Sequence, residues 1–297
     1  MTHSSSHTKN YMLASLAFSF LLCAPVFARA EAVSLIIDHP TSAHTRDVIL
    51  VPVNIQVAGD PGINTLDATV SVSGPAEIVS VQTGGSVFSL WPVKEVGVNS
   101  VHVVGGTPSS VYGSLKAFTI ALRITGEGSI GFESSGTAYL GDGSGTPEKI
   151  SSPEASIEGT PAGDITVDAL TSSIQKDRTP PESFAITPSR DESVFGGAYF
   201  LSFSTVDAGS GVVKYEVSEG DLPVVESDGT YVLRDQSESK SVTVRAYDAA
   251  GNVREEVFVP NKPVHREWTY VVGVLLLAGI IGVLTLRVRR KRSGAES

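Results

Sequence analysis

Along residues 31–268 runs with an apolar side chain at every second position recur, and no stretch keeps a 3.6-residue apolar period over three turns. In one run Val51, Val53, Ile55 and Val57 alternate with Pro52, Asn54 and Gln56. Leu66, Ala68, Val70 and Val72 alternate with Asp67, Thr69, Ser71 and Ser73, and Phe118, Ile120, Leu122 and Ile124 repeat the scheme. Period two gives each run one apolar face, so each predicts a half-buried β-strand. Pro52 has no N–H for a ladder, which predicts a strand edge or a bulge. The turn clusters Gly59-Asp60-Pro61-Gly62, Gly84-Gly85 and Gly105-Gly106-Thr107-Pro108 separate the runs. Many short strands between such turns predict a β-sandwich or jelly roll over residues 31–159.

The alternation lapses over residues 160–181, which end in Arg178-Thr179-Pro180-Pro181. That segment reads as a linker stiffened at its end by two prolines, with few contacts across it. Alternation resumes in 182–260, where Tyr199, Leu201 and Phe203, then Val213, Tyr215 and Val217, then Val242, Val244 and Ala246 each take one face. This length suits a small sandwich of roughly seven strands. The fold class is therefore all-β, in two blocks. A short polar stalk, 261–268, follows.

The two ends have a different pattern. Lys9 precedes an apolar run from Tyr11 to Val26, and Ala28-Arg29-Ala30 supplies the small residues of a signal-peptidase site, so residues 1–30 predict a secretory signal peptide. A lipoprotein reading, with Cys23 acylated, is opposed by the bulky Leu22 before it. Cys23 is the one cysteine of the chain, so cleavage after Ala30 leaves a mature protein without disulfide or thiol chemistry. At the far end, Tyr270 to Leu286 is a run of 17 residues without a charge, preceded by Trp268. Residues 269–286 predict a transmembrane helix, with Trp268 and Tyr270 at the interface. Arg287, Arg289, Arg290, Lys291 and Arg292 follow in the tail 287–297, and such cations stay on the cytoplasmic side. The expected location is a cell membrane crossed once, with the sandwiches outside and the bilayer itself as one partner.

Charge narrows the partners. Residues 31–268 hold 31 acidic and 15 basic side chains, a net charge of −16 for the exported part. That balance argues against nucleic acid and against adhesion to anionic polymers, and suits solubility outside a cell.

Two resemblances add to this reading. Residues 31–159 resemble a cohesin-type domain of the carbohydrate-binding-module superfamily in the order of their elements. The first strand is Val33-Ser34-Leu35-Ile36-Ile37, followed by Val48 to Val57, then Gly62-Ile63-Asn64-Thr65-Leu66-Asp67-Ala68-Thr69-Val70, and later Gly113-Ser114-Leu115-Lys116-Ala117-Phe118-Thr119-Ile120. Where many cohesins carry a Tyr-Asp-Pro signature this chain has Ser73-Gly74-Pro75, a departure from the dockerin-binding pattern. Residues 182–260 resemble bacterial Ig-like modules, through Asp207-Ala208-Gly209-Ser210-Gly211-Val212 followed by Tyr215-Glu216-Val217, and through the closing Val244-Arg245-Ala246-Tyr247-Asp248-Ala249-Ala250-Gly251-Asn252. The layout is similar to cohesin-containing single-pass membrane proteins of bacteria. The resemblance implies a jelly-roll sandwich followed by an Ig-like one, binding of an extracellular protein or a polysaccharide, and polysaccharide catabolism by association.

Candidate chemistry is sparse. There is no Gly-x-Ser-x-Gly elbow, His-Glu-x-x-His, Walker loop or Gly-x-Gly-x-x-Gly, so the chain is read as no enzyme and as needing no cofactor. His39 and His44 share a loop at a spacing that suits no metal pair, His102 takes an outward strand position, and His265 lies beside the membrane segment. Asp207 and Asp248 each open a glycine-bearing turn and are read as caps of their own backbone. A Ca²⁺ ion shared with Asn252 is the alternative. Asp142-Gly143-Ser144-Gly145 is too short for an EF-hand loop and predicts a hairpin turn. Trp91 and Tyr112 lie near turns, where a ring could stack on sugar, while Phe88 and Trp91 could equally plug the end of the sandwich. The expectation is binding or display at the cell surface by protein–protein recognition, with polysaccharide binding as the alternative.

Overall fold

Strands laid down by the alternation dominate the computed structural model, which describes residues 33–260. The expected signal peptide, stalk, membrane helix and basic tail, with Cys23, Trp268, Tyr270 and the cations from Arg287 to Arg292, lie outside the described residues. Among the described residues no helix is long and apolar enough to cross a membrane.

The first block contains β1 (Val33–Ile37), β2 (Ser42–His44), β3 (Val48–Val57), β4 (Ile63–Ser73), β5 (Ala76–Gln82), β6 (Leu90–Val96), β7 (Ser100–Val111), β8 (Gly113–Ile124), β9 (Gly128–Leu140), β10 (Pro147–Lys149) and β11 (Ala155–Thr160). One sheet has the order β1-β3-β8-β5. The other runs β2-β11-β9-β4-β7-β6, with β10 added to β9. The parallel pairing of β11 with β2 brings the end of the block back to its beginning. The inward residues of the two sheets, among them Val53, Ile55, Leu66, Val70, Val101, Phe118, Ile120, Leu122 and Ile130, are fully buried and form one core. Burying each such side chain contributes roughly 1.5–3 kcal/mol before conformational entropy is set against it.

Pro52 sits in an interior strand rather than at an edge. Its carbonyl accepts from Asp38 N at 2.8 Å just where β1 ends, and having no N–H it returns no bond. A register shift at Val53/Asn54, on the β8 side, follows at the next residue.

The segment 160–181 carries more structure than its pattern promised. Helix α1 (Ala169–Lys176) lies within it, capped by Asp168, whose carboxylate accepts from Thr171 N at 2.9 Å. Its apolar residues Ala169, Leu170 and Ile174 fall on one side and are half-buried. The helix packs against β3, and the chain before it is tied down by Val48 N to Val167 O and Val167 N to Asp47 Oδ1, both 2.8 Å. The later half bonds to the second block, with Pro181 O accepting from Arg254 Nε and Thr179 O from Asn252 Nδ2.

The second block has β12 (Ile186–Arg190), β13 (Tyr199–Phe203), β14 (Val212–Glu219), β15 (Val225–Ser227), β16 (Thr230–Val232), β17 (Val242–Asp248) and β18 (Val253–Phe258). They form two sheets, β12-β13-β16 and β15-β14-β17-β18. Leu201, Phe203, Tyr215, Val217, Val242, Val244 and Ala246 make the core between them. Val213 departs from the alternation. A bulge between Val212 and Lys214 turns it outward, and it is 52% exposed.

Candidate functional site

Two features of the described residues have the makings of a site: a carboxylate cluster at the joint between the blocks, and the open face of one sheet. The joint is assembled by three loops. From the first block comes Thr83–Ser86, between β5 and β6, and from the second comes Asp207–Gly211, between β13 and β14. Gly85 N donates to Asp207 O at 2.7 Å, Ser89 Oγ lies 3.1 Å from Ser204 Oγ, and Lys116 Nζ holds Gly84 O at 2.8 Å. The backbones meet so closely that a Cβ on Gly84 would stand 1.8 Å from Gly209 O. Gly211, with φ +84°, is needed for its conformation and for its contact with Thr83 and Gly84. The glycines of the Asp207–Gly211 run therefore serve the joint as well as the turn.

The third loop brings Asp177, the residue that ends α1. One carboxylate oxygen each from Asp177, Asp207 and Asp248 lies within 4.8 Å of the other two, and all three residues are buried. Asp177 Oδ1 accepts from Thr179 N and Oγ1 at 3.0 and 2.8 Å, and Oδ2 accepts from Ser210 N and Oγ at 2.8 and 2.7 Å. Burial raises its carboxyl, but these donors outweigh burial and hold it at about 2. Asp207 Oδ2 accepts from Gly209 N at 3.1 Å and Gly211 N at 2.7 Å, while its Oδ1 has no partner. Burial first, and then the charges of Asp177 and Asp248, push the Asp207 carboxyl up against those two N–H donors. Asp248 accepts from Asn252 N and Asn252 Nδ2, both at 2.7 Å. Asp207 and Asp248 thus cap their own turns. Asn252 turns its amide nitrogen, not its oxygen, toward Asp248. The residue that completes the cluster is Asp177, some thirty residues upstream in the sequence. No local signal marks it, because only the tertiary fold brings the end of α1 beside the Asp207 and Asp248 turns.

Beside the cluster a groove of about 480 Å³ opens between the blocks, lined by Trp91 and Lys94 on one side and Tyr215, Glu226 and Asp228 on the other. Trp91 is half-buried. Its Nε1 donates to Phe88 O at 3.1 Å, and its ring meets Phe88 and Phe118 edge-on at 5.8 and 6.4 Å. Phe88, 1% exposed, is the residue that fills the end of the core. Burial lowers the Lys94 ammonium. Tyr112 is 49% exposed, away from this groove, and its hydroxyl donates to Pro61 O at 2.7 Å. Asp142 caps its hairpin turn through Ser144 N at 2.8 Å. His39 stacks on Phe132, and His44 bonds Pro161 O.

The two sheets of the first block differ on their outer faces. On β8 the outward Thr119 and Ala121 are 5% and 0% exposed, so that face is buried at its centre. The outer face of β6-β7-β4-β9 is open. Cross-strand rows run Glu95–His102–Thr69–Ser135 and Val93–Val104–Asp67–Thr137, with Ser71 between Ser100 and Glu133. His102 Nε2 lies 2.9 Å from Asp67 Oδ1, and Nδ1 lies 3.7 Å from Glu95 Oε2. Short Ser and Thr side chains around one anchored imidazole make this face flat and polar.

No family model and no curated protein matches the chain. Solved structures do. A non-cellulosomal cohesin from Archaeoglobus fulgidus is 21% identical, with a TM-score of 0.37 over 43% of this chain and 91% of its own. A type I cohesin–dockerin complex from Clostridium thermocellum is similar at 16% identity and a TM-score of 0.37, over 43% of this chain and 99% of that one. The sixth cohesin of scaffoldin B from Acetivibrio cellulolyticus, in complex with a dockerin, gives 20% identity and 0.37 over 43% and 99%.

Proposed function

We propose that the chain is a non-catalytic recognition protein whose first sandwich docks an extracellular protein on the outer face of β6-β7-β4-β9. The observation that carries this reading is the contrast between the sheets. One face is buried at its centre, around Thr119 and Ala121, and the other is a flat polar platform of Ser and Thr with Asp67, Glu95 and Glu133 around an anchored His102. Flat strand surfaces with short side chains offer a partner many backbone-scale contacts at little cost in side-chain entropy. The second block and the membrane segment would hold that platform away from a bilayer, as the cations after Leu286 imply.

A second reading, carbohydrate binding, draws on the groove beside Trp91, where an indole stands near Glu226 and Asp228. One experiment separates the two. The full-length chain is used to capture proteins from the envelope and culture fluid of its own cells, and is applied in parallel to a glycan array. Thr69→Arg on the open face should abolish protein capture, while Gln56→Arg on the other sheet should leave it intact. Capture insensitive to Thr69→Arg would overturn the docking reading. Glycan binding that survives Thr69→Arg but disappears in Trp91→Ala would establish the second.

A further inference from the structure

The joint holds a concentration of negative charge that no ion pair among the described residues answers. Asp207 and Asp248 are 1% and 2% exposed and Asp177 is 9% exposed, and among the described residues none of them pairs with a lysine or arginine. Crowded, buried, like charges without a counter-ion are strongly unfavourable. Four backbone N–H groups and two hydroxyls nevertheless hold Asp177 and Asp207 in place as carboxylates. One atom is left over. Asp207 Oδ1 is the only buried side-chain polar atom among the described residues without a hydrogen-bond partner, and its residue belongs to the cluster in which an oxygen of each aspartate lies within 4.8 Å of the others.

We infer that Asp177, Asp207 and Asp248 form a calcium site at the joint between the two sandwiches. The donor set is all oxygen and anionic, which suits a hard divalent cation, and the irregular loops that carry it suit the flexible coordination of Ca²⁺ better than the octahedron of Mg²⁺. Asp207 Oδ1 supplies an open ligand atom, and each Asp248 oxygen accepts a single hydrogen bond and keeps lone pairs free. Asp177 accepts four hydrogen bonds, two of them from the rotatable hydroxyls of Thr179 and Ser210. Turning either hydroxyl frees a lone pair on Asp177 and offers a neutral oxygen beside it. The ion would tie the end of α1 to the Asp207 and Asp248 turns of the second block, the former of which meets the first block. Asp207 O is the acceptor for Gly85 N, so ordering the Asp207 loop orders the joint itself. Asn252, with its amide nitrogen toward Asp248, is not a ligand.

The test uses the full-length chain, melted in EDTA, Mg²⁺ or Ca²⁺, and titrated with Tb³⁺ as a luminescent substitute for Ca²⁺. Trp91 and Asp207 line one cavity of about 10 Å³, so indole excitation should sensitise Tb³⁺ bound there. The expected result is a saturable rise in Tm with Ca²⁺, little with equal Mg²⁺, and Tb³⁺ emission that Ca²⁺ displaces and Trp91→Phe abolishes. Asp177→Asn, Asp207→Asn and Asp248→Asn should each weaken Ca²⁺ binding by about tenfold or more, since affinity follows the count of charged ligands. In EDTA, Asp207→Asn should melt no lower than the parent, because it removes one of three crowded charges. That sign reversal separates a lost ligand from a damaged turn. Identical parent melts in EDTA and millimolar Ca²⁺, or a Ca²⁺ increment that survives in all three Asn variants, would overturn the site. Either outcome leaves the docking face on the other sandwich untouched.

Discussion

The two sandwiches of this chain are held together by different means. The first has 28 buried apolar residues in one cluster and few buried polar groups, so area removed from water carries its fold. The second has nine, and it buries Asp207, Glu219 and Asp248 beside them. Its turns are built on carboxylates: Glu219 accepts from Tyr231 Oη and Arg234 N at 2.8 Å and from Asp235 N at 2.7 Å. Burial, followed by the Glu219 carboxylate, pushes the Tyr231 phenol up to about 12. A small block cannot enclose much apolar area, and fixing its loops with charged acceptors is the compensation available to it. The cost is charge in the interior, where Asp207 Oδ1 is the one buried side-chain atom among the described residues left without a hydrogen-bond partner.

The contrast breaks most visibly in the cores. Phe118 is fully buried at the centre of the first sandwich, and Phe118→Ala should destabilise that block by about 3–5 kcal/mol. The second block should melt unchanged, which calorimetry of the full chain would register as one transition moving and one standing still. Both transitions moving together would mean that the blocks fold as one unit.

Glu219→Ala tests the other side of the comparison. It orphans the Tyr231 hydroxyl and two backbone N–H groups, at about 1–3 kcal/mol for each one left without water. Denaturant unfolding should show the second block alone weakened by roughly 3 kcal/mol, and a loss as small as that of an exposed turn cap would refute the idea that carboxylates carry this fold. The smallest effect on either block belongs to the joint. Gly84→Val puts side-chain atoms into Gly209, so the blocks should part while each keeps its own stability to within about 0.5 kcal/mol. Small-angle scattering reads this as an increased radius of gyration. Unchanged scattering would show that the close backbone contact is not what holds the blocks side by side.

Most of the strand framework was legible because period two is a local property. A run such as Leu66, Ala68, Val70 and Val72 names its own inner face, and all four are buried. The readings that changed were those in which a neighbour decides. Val213 follows the alternation in the sequence and is turned out by a bulge that only the pairing of β14 with β17 creates. Helix α1 was missed because eight residues with three apolar side chains give almost no periodic signal, although Asp168 three residues before Thr171 marks its cap. Pro52 was expected at an edge or bulge. It lies within the sheet, beside a bulge, because β1 stops short of it.

By itself the sequence determined the all-β class, most of the inward faces and the turns capped by Asp207 and Asp248, since each depends on residues within a few positions of one another. The tertiary structure alone decided which sheet face stays open, that Gly84 and Gly209 touch, and that Asp177 joins two aspartates from other loops. These depend on how distant segments close in space. No pattern along the chain encodes the approach to within 4.8 Å of carboxylate oxygens drawn from positions 177, 207 and 248.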